Sequence, residues 1–567
     1  MADTPHKLLL AEICRPFNFS VTVALPILTG LVVHGLSQYR EPPAHLALGF
    51  TIVLAPTAAL ALKDAWNVTI QEASWAVAFI YTLFATSLSF SMAIYRVFFH
   101  RLRHFPGPVS CTLSMWSWVI NDWKGDRFYQ IQKMHQQSGD YVRIGPRQIS
   151  IADPDALKVI YGPTGPSTKA TRGPWYEAQS MTPNVYSLQT QPKISDHNVR
   201  RRDWDPAFSI KALESYQPNI LRNSELLMQQ VERLSSKGLV DVKEGMLWFG
   251  FDVMGELGFG RSFGTLKDGK TSDIVHLVEF GVRAIKTMGN VPYLASILRL
   301  LPSPLIAFET WLKEALDWRL AKADMHESLD ADVFAYLLGE RGKHHRNLNK
   351  EELYQDCMLI VVAGSDTTSN ALSIVLFELA KKLDLVQRLR EEIDCLFPDG
   401  APIDDFKKLR DDAPLINACL NEALRLWPPV PSGLDRHTPV PLAMPKGVVI
   451  PANTVVSTHC FSMHRDPRNF YEPNEFIPDR WINGPVESKP HNIKAFSPFG
   501  YGVTSCVGKN LAFMEMRVVL AMFIRRFDFT MKPEDAVRFS GSIRDQFVSC
   551  SGEMLMKVSP RKRVSAC

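Results

Sequence analysis

The chain carries little net charge for its size, +4 over 567 residues, and so lacks the electrostatic basis for holding nucleic acid. No two of its cysteines form a C-x-x-C pair. The nine present, at 14, 111, 357, 395, 419, 460, 506, 550 and 567, are scattered and odd in number, which argues against a disulfide scaffold or a structural zinc site. They suit a reducing compartment in which most cysteines act as small buried hydrophobes. With 46% hydrophobic and 22% charged residues the composition is that of a globular protein. The length exceeds the usual single domain and fits one large catalytic domain with an added segment.

That added segment is expected at the N-terminus. Three apolar runs, 17–36, 44–62 and 74–95, each approach the roughly 20 residues needed to cross a bilayer. A cleaved signal peptide would show one short apolar core, so the runs predict a membrane-anchoring segment over 1–104 with about three transmembrane helices. Pro26 and Pro56 fall inside two of the runs, which spans tolerate. Arg96, Arg101 and Arg103 crowd the end of the third run while Lys63 stands alone before it, which predicts a cytosolic catalytic part. Asn67-Val68-Thr69 would then be a lumenal glycosylation acceptor. Phe105-Pro106-Gly107-Pro108 breaks the helix and opens the second part, 105–567.

The chemistry concentrates in Phe499-Gly500-Tyr501-Gly502-Val503-Thr504-Ser505-Cys506-Val507-Gly508. Gly500, Gly502 and Gly508 permit backbone conformations closed to other residues and a close approach to a flat cofactor. Leu511, Met514, Val518 and Met522 recur at helical spacing, so Cys506 should sit at a helix N-terminus, where amide hydrogens favour a thiolate. A lone cysteine is more often a buried structural one. The order of residues here, however, resembles the haem-binding loop of the cytochrome P450 family, Phe-x-x-Gly-x-Arg-x-Cys-x-Gly. The resemblance makes Cys506 the axial ligand of a haem iron and places Phe499 and Gly500 against the cofactor. It departs at Thr504, where the family has a propionate-binding arginine.

Further segments match the same family in order. His197 and Arg201, in a run of basic residues ahead of Asp205-Pro206, resemble the helix that holds a propionate; a solvated basic face is the alternative. Guanidinium suits such a carboxylate because its planar donors reach both oxygens. Ala363-Gly364-Ser365-Asp366-Thr367-Thr368 resembles the oxygen-binding groove, with Ala363 and Gly364 making room over the cofactor and Asp366 and Thr367 forming a proton path; by itself the stretch reads equally as a helix kink. Glu422-Ala423-Leu424-Arg425 resembles the Glu-x-x-Arg element, whose partner in the run Phe476-Ile477-Pro478-Asp479-Arg480-Trp481 is Arg480. On sequence alone Glu422 and Arg425 would be a weak surface pair. Arg436 resembles the strand arginine that pairs with a propionate and could replace the one missing at Thr504; His464 could add to it.

The resemblance implies a mainly α fold with a small β-rich part, and 141–144 and 148–151 alternate as two short strands around Gly145-Pro146. The stretch from Phe251 to Gly260 reads as a buried helix tail closed by glycine, and the apolar run 293–301 either dips into the bilayer or packs in the core. The implied activity is a haem b monooxygenase inserting one atom of dioxygen into a lipophilic terpenoid, polyketide or alkaloid intermediate. No stretch remains for an FMN or NADPH domain, so electrons are expected from NADPH through a cytochrome P450 reductase at the endoplasmic reticulum, with cytochrome b5 a second donor. The rival readings are a P450-fold isomerase or dehydratase acting on a peroxide, members of which tend to lack the Asp366-Thr367 pair, and a haem sensor. The substrate pocket is expected from 174–186, Val361 and Val362, 432–434 and 548–551.

Overall fold

The computed structural model describes residues 19–38, 44–162, 170–180, 182, 184–291, 302–303, 305–324, 332–341, 348–484 and 489–561. The run 293–301 lies outside them. The chain divides into two compact units, one holding the N-terminal helices and one holding most of the remainder.

In the first unit each apolar run forms a helix: α1 (Phe19–Ser37), α2 (Ala44–Trp66) and α3 (Ile70–Ile94), the last running on as a π-turn through Phe99. Thr69 caps α3 with Glu72 in a reciprocal capping box. The packing is inverted relative to a water-soluble bundle. Ser87 Oγ donates to Ile27 O at 2.7 Å and His34 Nδ1 lies 2.7 Å from Ser91 Oγ between α1 and α3, while Leu28, Val32, Ile52, Val53 and Phe90 point outward. Small residues and hydrogen bonds inside with large aliphatics outside is the arrangement that suits lipid. Among the described residues two helices are long and apolar enough to cross a membrane, Ile70–Phe99 and Lys350–Ala380, and the second is mostly buried in protein.

The second unit is mainly helical. Its site-forming helices are α4 (Ile194–Trp204), α5 (Ile210–Ser235), α6 (Val242–Phe259), α7 (Asp273–Gly289), α8 (Lys350–Ala380), α9 (Pro414–Leu426) and α10 (Lys509–Arg526). The sequence marks α8 clearly. Asn349 and Glu352 form a capping box at its start, and its hydroxyls bond back to the preceding turn: Ser365 to Val361 O, Thr367 to Ala363 O, Ser369 to Ser365 O. These three hydroxyls are therefore satisfied within the helix, which runs continuously for 31 residues. Tail residues of α6 are buried and Gly260, with φ +73°, closes the helix, as its sequence indicates.

Residues 141–145 and 148–151 are both strands. The sheet that borders the site contains β1 (Gln148–Ile151), β2 (Arg436–Thr438) and β3 (Thr454–Thr458); β3 pairs parallel to β1 with Ile149 opposite Val456, and antiparallel to β2 with His437 opposite Val455. The core lies among α5, α6, α8, α9 and α10, where Phe249, Leu372, Leu420 and Val519 are fully buried. Through this core α8 packs against α10, and each helix contributes residues to one cavity.

Candidate active site

Cys506 stands three residues before α10, and its sulfur receives the backbone N–H groups of Gly508 and Lys509. Its own N–H donates to Phe499 O at 2.9 Å, which closes the loop. Gly500 and Gly502 have φ of +72° and +70°, and a Cβ on Gly502 would collide with Tyr161 O, so both positions require glycine. Gly508, expected to share that need, has an ordinary φ of −80°. The side chain of Cys506 is exposed and lines a cavity of about 380 Å³ with Phe499 and Gly500. Enclosure by protein pushes the thiol pKa up, while the two N–H groups and the positive charges of Arg201 and Lys509 pull it down.

A basic corner lines the same cavity: Arg172, His197, Arg201 and Arg436. Arg436 donates through Nη1 to Tyr176 Oη (3.0 Å) and through Nη2 to Thr504 Oγ1 (2.7 Å). The strand arginine thus reaches the position where the familiar loop arginine is missing. Arg201 bonds Asp205 at 2.6 Å and Ser505 O at 2.7 Å, tying α4 to the cysteine loop. His197 is buried, and burial with the charge of Arg172 lowers its pKa to about 4. Arg172 was not anticipated from the sequence. Its Nη1 donates to Leu188 O and Gln191 O, whereas its buried Nε has no acceptor among the described residues. A buried cationic donor left open beside three further basic side chains calls for an anionic group.

On α8, Ala363 and Thr367 face the cavity, but one expectation needs correction. Gly364 lines the cavity beside Ala363, and the Cβ it lacks would also collide with Met254 Sδ of α6. Asp366 does not face the cavity with Thr367. Adjacent residues on a helix point about 100° apart, and the Asp366 carboxyl turns to a small polar cleft beside Lys243, Glu279, Asn370 and Gln546. Burial, reinforced by Glu279 and opposed by Lys243, raises its pKa to about 7. A second acid escaped the sequence reading: Glu515 of α10 lines the large cavity, is buried, bonds Thr368, and has its pKa raised by burial to about 8.

Glu422 and Arg425 are fully buried with Arg480 rather than forming a surface pair. The Glu422 carboxylate accepts from Arg425 Nε (2.9 Å) and Nη2 (2.8 Å), Arg480 Nε (3.1 Å), Ile477 N (2.9 Å) and Trp481 Nε1 (2.8 Å). Burial would raise its pKa; these donors outweigh that and hold it below the usual value. His464, considered a propionate partner, is instead committed to this support. Its ring bridges Arg425 O (3.0 Å) and the Ser497 N–H (3.0 Å), and it does not line the cavity.

A family model described as Cytochrome P450 matches residues 106–551. The chain belongs to the cytochrome P450 family. It is similar to cytochrome P450 monooxygenase FCK2 of Fusarium pseudograminearum (strain CS3096), 33% identical over 556 residues, covering 94% of this chain and 96% of that one. It is also similar to cytochrome P450 monooxygenase orf5 of Eupenicillium brefeldianum, 34% identical over 83% of this chain and 94% of the relative. Tryprostatin B 6-hydroxylase of Aspergillus fumigatus is 30% identical over 83% of each chain. This cytochrome P450 is a haem-thiolate monooxygenase.

The residues present fit the family's haem. Cys506 lines the cavity, and the basic corner of the same cavity holds the unsatisfied Arg172 Nε among side chains suited to carboxylates. The remaining wall of this cytochrome P450 is largely apolar and differs in part from expectation. Tyr176, Gln179, Val362, Gly433, Leu434 and Val548 line it, but Val361 points into the core, Ser432 bonds Asp545, and Ser549 bonds Pro428 O and faces the small polar cleft. Leu277, Val278, Val282 and Ile285 of α7 also line it.

Proposed function

We propose that this chain inserts one oxygen atom of dioxygen into a lipophilic secondary metabolite, using haem b and electrons from NADPH delivered by a membrane-bound cytochrome P450 reductase. The observation that carries this reading is one cavity, mostly apolar, lined by the Cys506 sulfur from one segment and by the Ala363 and Thr367 face of α8 from another. Bound haem supplies dioxygen activation, which an electron-donating thiolate favours. Cys506 would ligate it, Arg172, His197, Arg201 and Arg436 would receive its propionates, and Phe499 and Gly500 would lie against it. The apolar wall positions a lipophilic molecule and excludes bulk water. The names of the relatives, one a hydroxylase of tryprostatin B, support a secondary-metabolite substrate.

Asp366 and Thr367 divide the proton work. Asp366 has a pKa of about 7 and faces the polar cleft, so it exchanges protons near neutral pH. Thr367 faces the cavity, where its hydroxyl now donates to Ala363 O (2.7 Å) and can turn to donate toward the reacting oxygen. Thr367→Ala should keep haem and substrate binding but divert NADPH consumption from product to hydrogen peroxide, by several-fold. Product, peroxide and NADPH measured together at saturating substrate check this, and an unchanged product-to-NADPH ratio counts against the role. Reductase-dependent dioxygen consumption separates the monooxygenase from a peroxide isomerase and from a sensor.

The outward aliphatics of α1, α2 and α3 support a multi-pass anchor in the endoplasmic reticulum, with the catalytic part in the cytosol by virtue of Arg96, Arg101 and Arg103. In sealed microsomes, protease added from outside should digest the catalytic part. Its protection would refute the orientation.

A further inference from the structure

Gln355 is a polar side chain on the cavity wall with no work in the scheme above. Gln355 lies on α8 and lines the cavity, with Met358, Leu359, Val362 and Ala363 following on the same helix face at i+3, i+4, i+7 and i+8. All four are apolar. Gln355 is 0% exposed, and among the described residues neither its Oε1 nor its Nε2 has a hydrogen-bond partner.

The next residue shows that a polar group here can be satisfied when the protein needs only structure. Asp356, equally buried, takes Arg200 Nε (3.2 Å) and Nη2 (2.7 Å), Leu188 N (3.1 Å) and Trp204 Nε1 (3.4 Å). Nearby on the wall, Ser187 and Thr190 bond one another. An unpaired buried amide costs folding stability, and a leucine in its place would remove that cost. A molecule in the cavity can supply the missing partners once the side chain, which has no accessible surface as it stands, turns toward it.

We propose that Gln355 is a recognition point for substrate, and that the substrate presents to it a cis secondary amide, as in a lactam or a diketopiperazine. The inference rests on the reading that this cavity holds the substrate. A carboxamide offers an acceptor and a donor side by side in one plane. A cis amide offers the complementary pair, so both Gln355 atoms are satisfied at once. A ketone or alcohol leaves one of them open, and an ionised group would meet an apolar helix face with no opposite charge on it.

The test compares haem-loaded, full-length protein with its Q355L variant, using the diketopiperazine of L-tryptophan and L-proline as probe. Its ring carries one N–H, and the control probe is the same molecule methylated on that nitrogen. Equilibrium dialysis gives dissociation constants without relying on the haem. The wild type should bind the N–H probe at least about tenfold more tightly than the methylated one, and Q355L should bind the two alike. Substrate-free Q355L should melt no lower than wild type. Equal binding of both probes by the wild type, failure of the N–H probe to bind, or an undiminished preference in Q355L would overturn the proposal. So would a clearly lower melting temperature, which would show the amide to be satisfied within the protein. The carbon-monoxide spectrum, recorded on both proteins, tests the haem-thiolate assignment separately, so either claim can fail alone.

Discussion

Cys506→Ser should abolish the thiolate-type spectrum of the reduced, carbon-monoxide-bound protein, and with it turnover. The substitution is small in volume and leaves the loop's other supports in place: the N–H of residue 506 still reaches Phe499 O, and Gly500 and Gly502 keep their left-handed turns. What changes is the donor atom. The sulfur at 506 receives two backbone N–H groups and lies near Arg201 and Lys509, which offset part of the cost of enclosure, although burial still leaves the thiol pKa raised. A serine hydroxyl in the same place stays protonated and is a hard, weak donor to iron. The measurement is the absolute spectrum with haem content and circular dichroism as controls. A retained thiolate spectrum in folded Cys506→Ser would refute the ligand assignment.

The parts of this site that were legible in the sequence are those in which a few adjacent residues fix both conformation and chemistry. The Cys506 loop is one, because two positive-φ glycines and a following amphipathic helix leave little freedom. The three apolar runs are another, since length and composition alone define a helix of that kind. Glu422, Arg425 and Arg480 were legible only through resemblance: at i, i+3 the first two look like an exposed pair, and their burial depends on the segment 471–481 folding over them. Arg172 carried no local signal, being a single arginine; Tyr176 lies four residues further on, and Arg436 is brought in by a strand far along the chain. The misplacements follow from geometry that adjacency conceals. Val361 and Val362, or Asp366 and Thr367, are neighbours in sequence but face different surroundings on a helix, and helical phase separates them once the cavity face is known.

Glu422→Ala should yield protein that is mostly haem-free and strongly destabilised. The carboxylate takes five hydrogen bonds in a site with no exposure, so its loss leaves two buried guanidinium groups without their shared counter-charge. Breaking a buried pair in this way costs about 3 to 5 kcal/mol, a large share of the roughly 5 to 15 kcal/mol that holds a typical domain folded. The damage should not stay local. Arg425 Nη1 also donates to His464 O and Pro473 O, and Arg480 Nη1 to Tyr471 O, so the two arginines organise the 464–481 segment. His464 then carries that order to Ser497, two residues before Phe499 and the cysteine loop. Loss of the carboxylate should therefore loosen the segment that presents Cys506. Glu422→Gln keeps the volume and two acceptor directions but not the charge, and should fall between wild type and Glu422→Ala. The readouts are haem-to-protein ratio and the denaturant midpoint of purified variants. Normal values for Glu422→Ala and Arg425→Ala together would mean that the network contributes no more than an exposed pair, at most about 1 kcal/mol, and that the cysteine loop is held in place by other contacts.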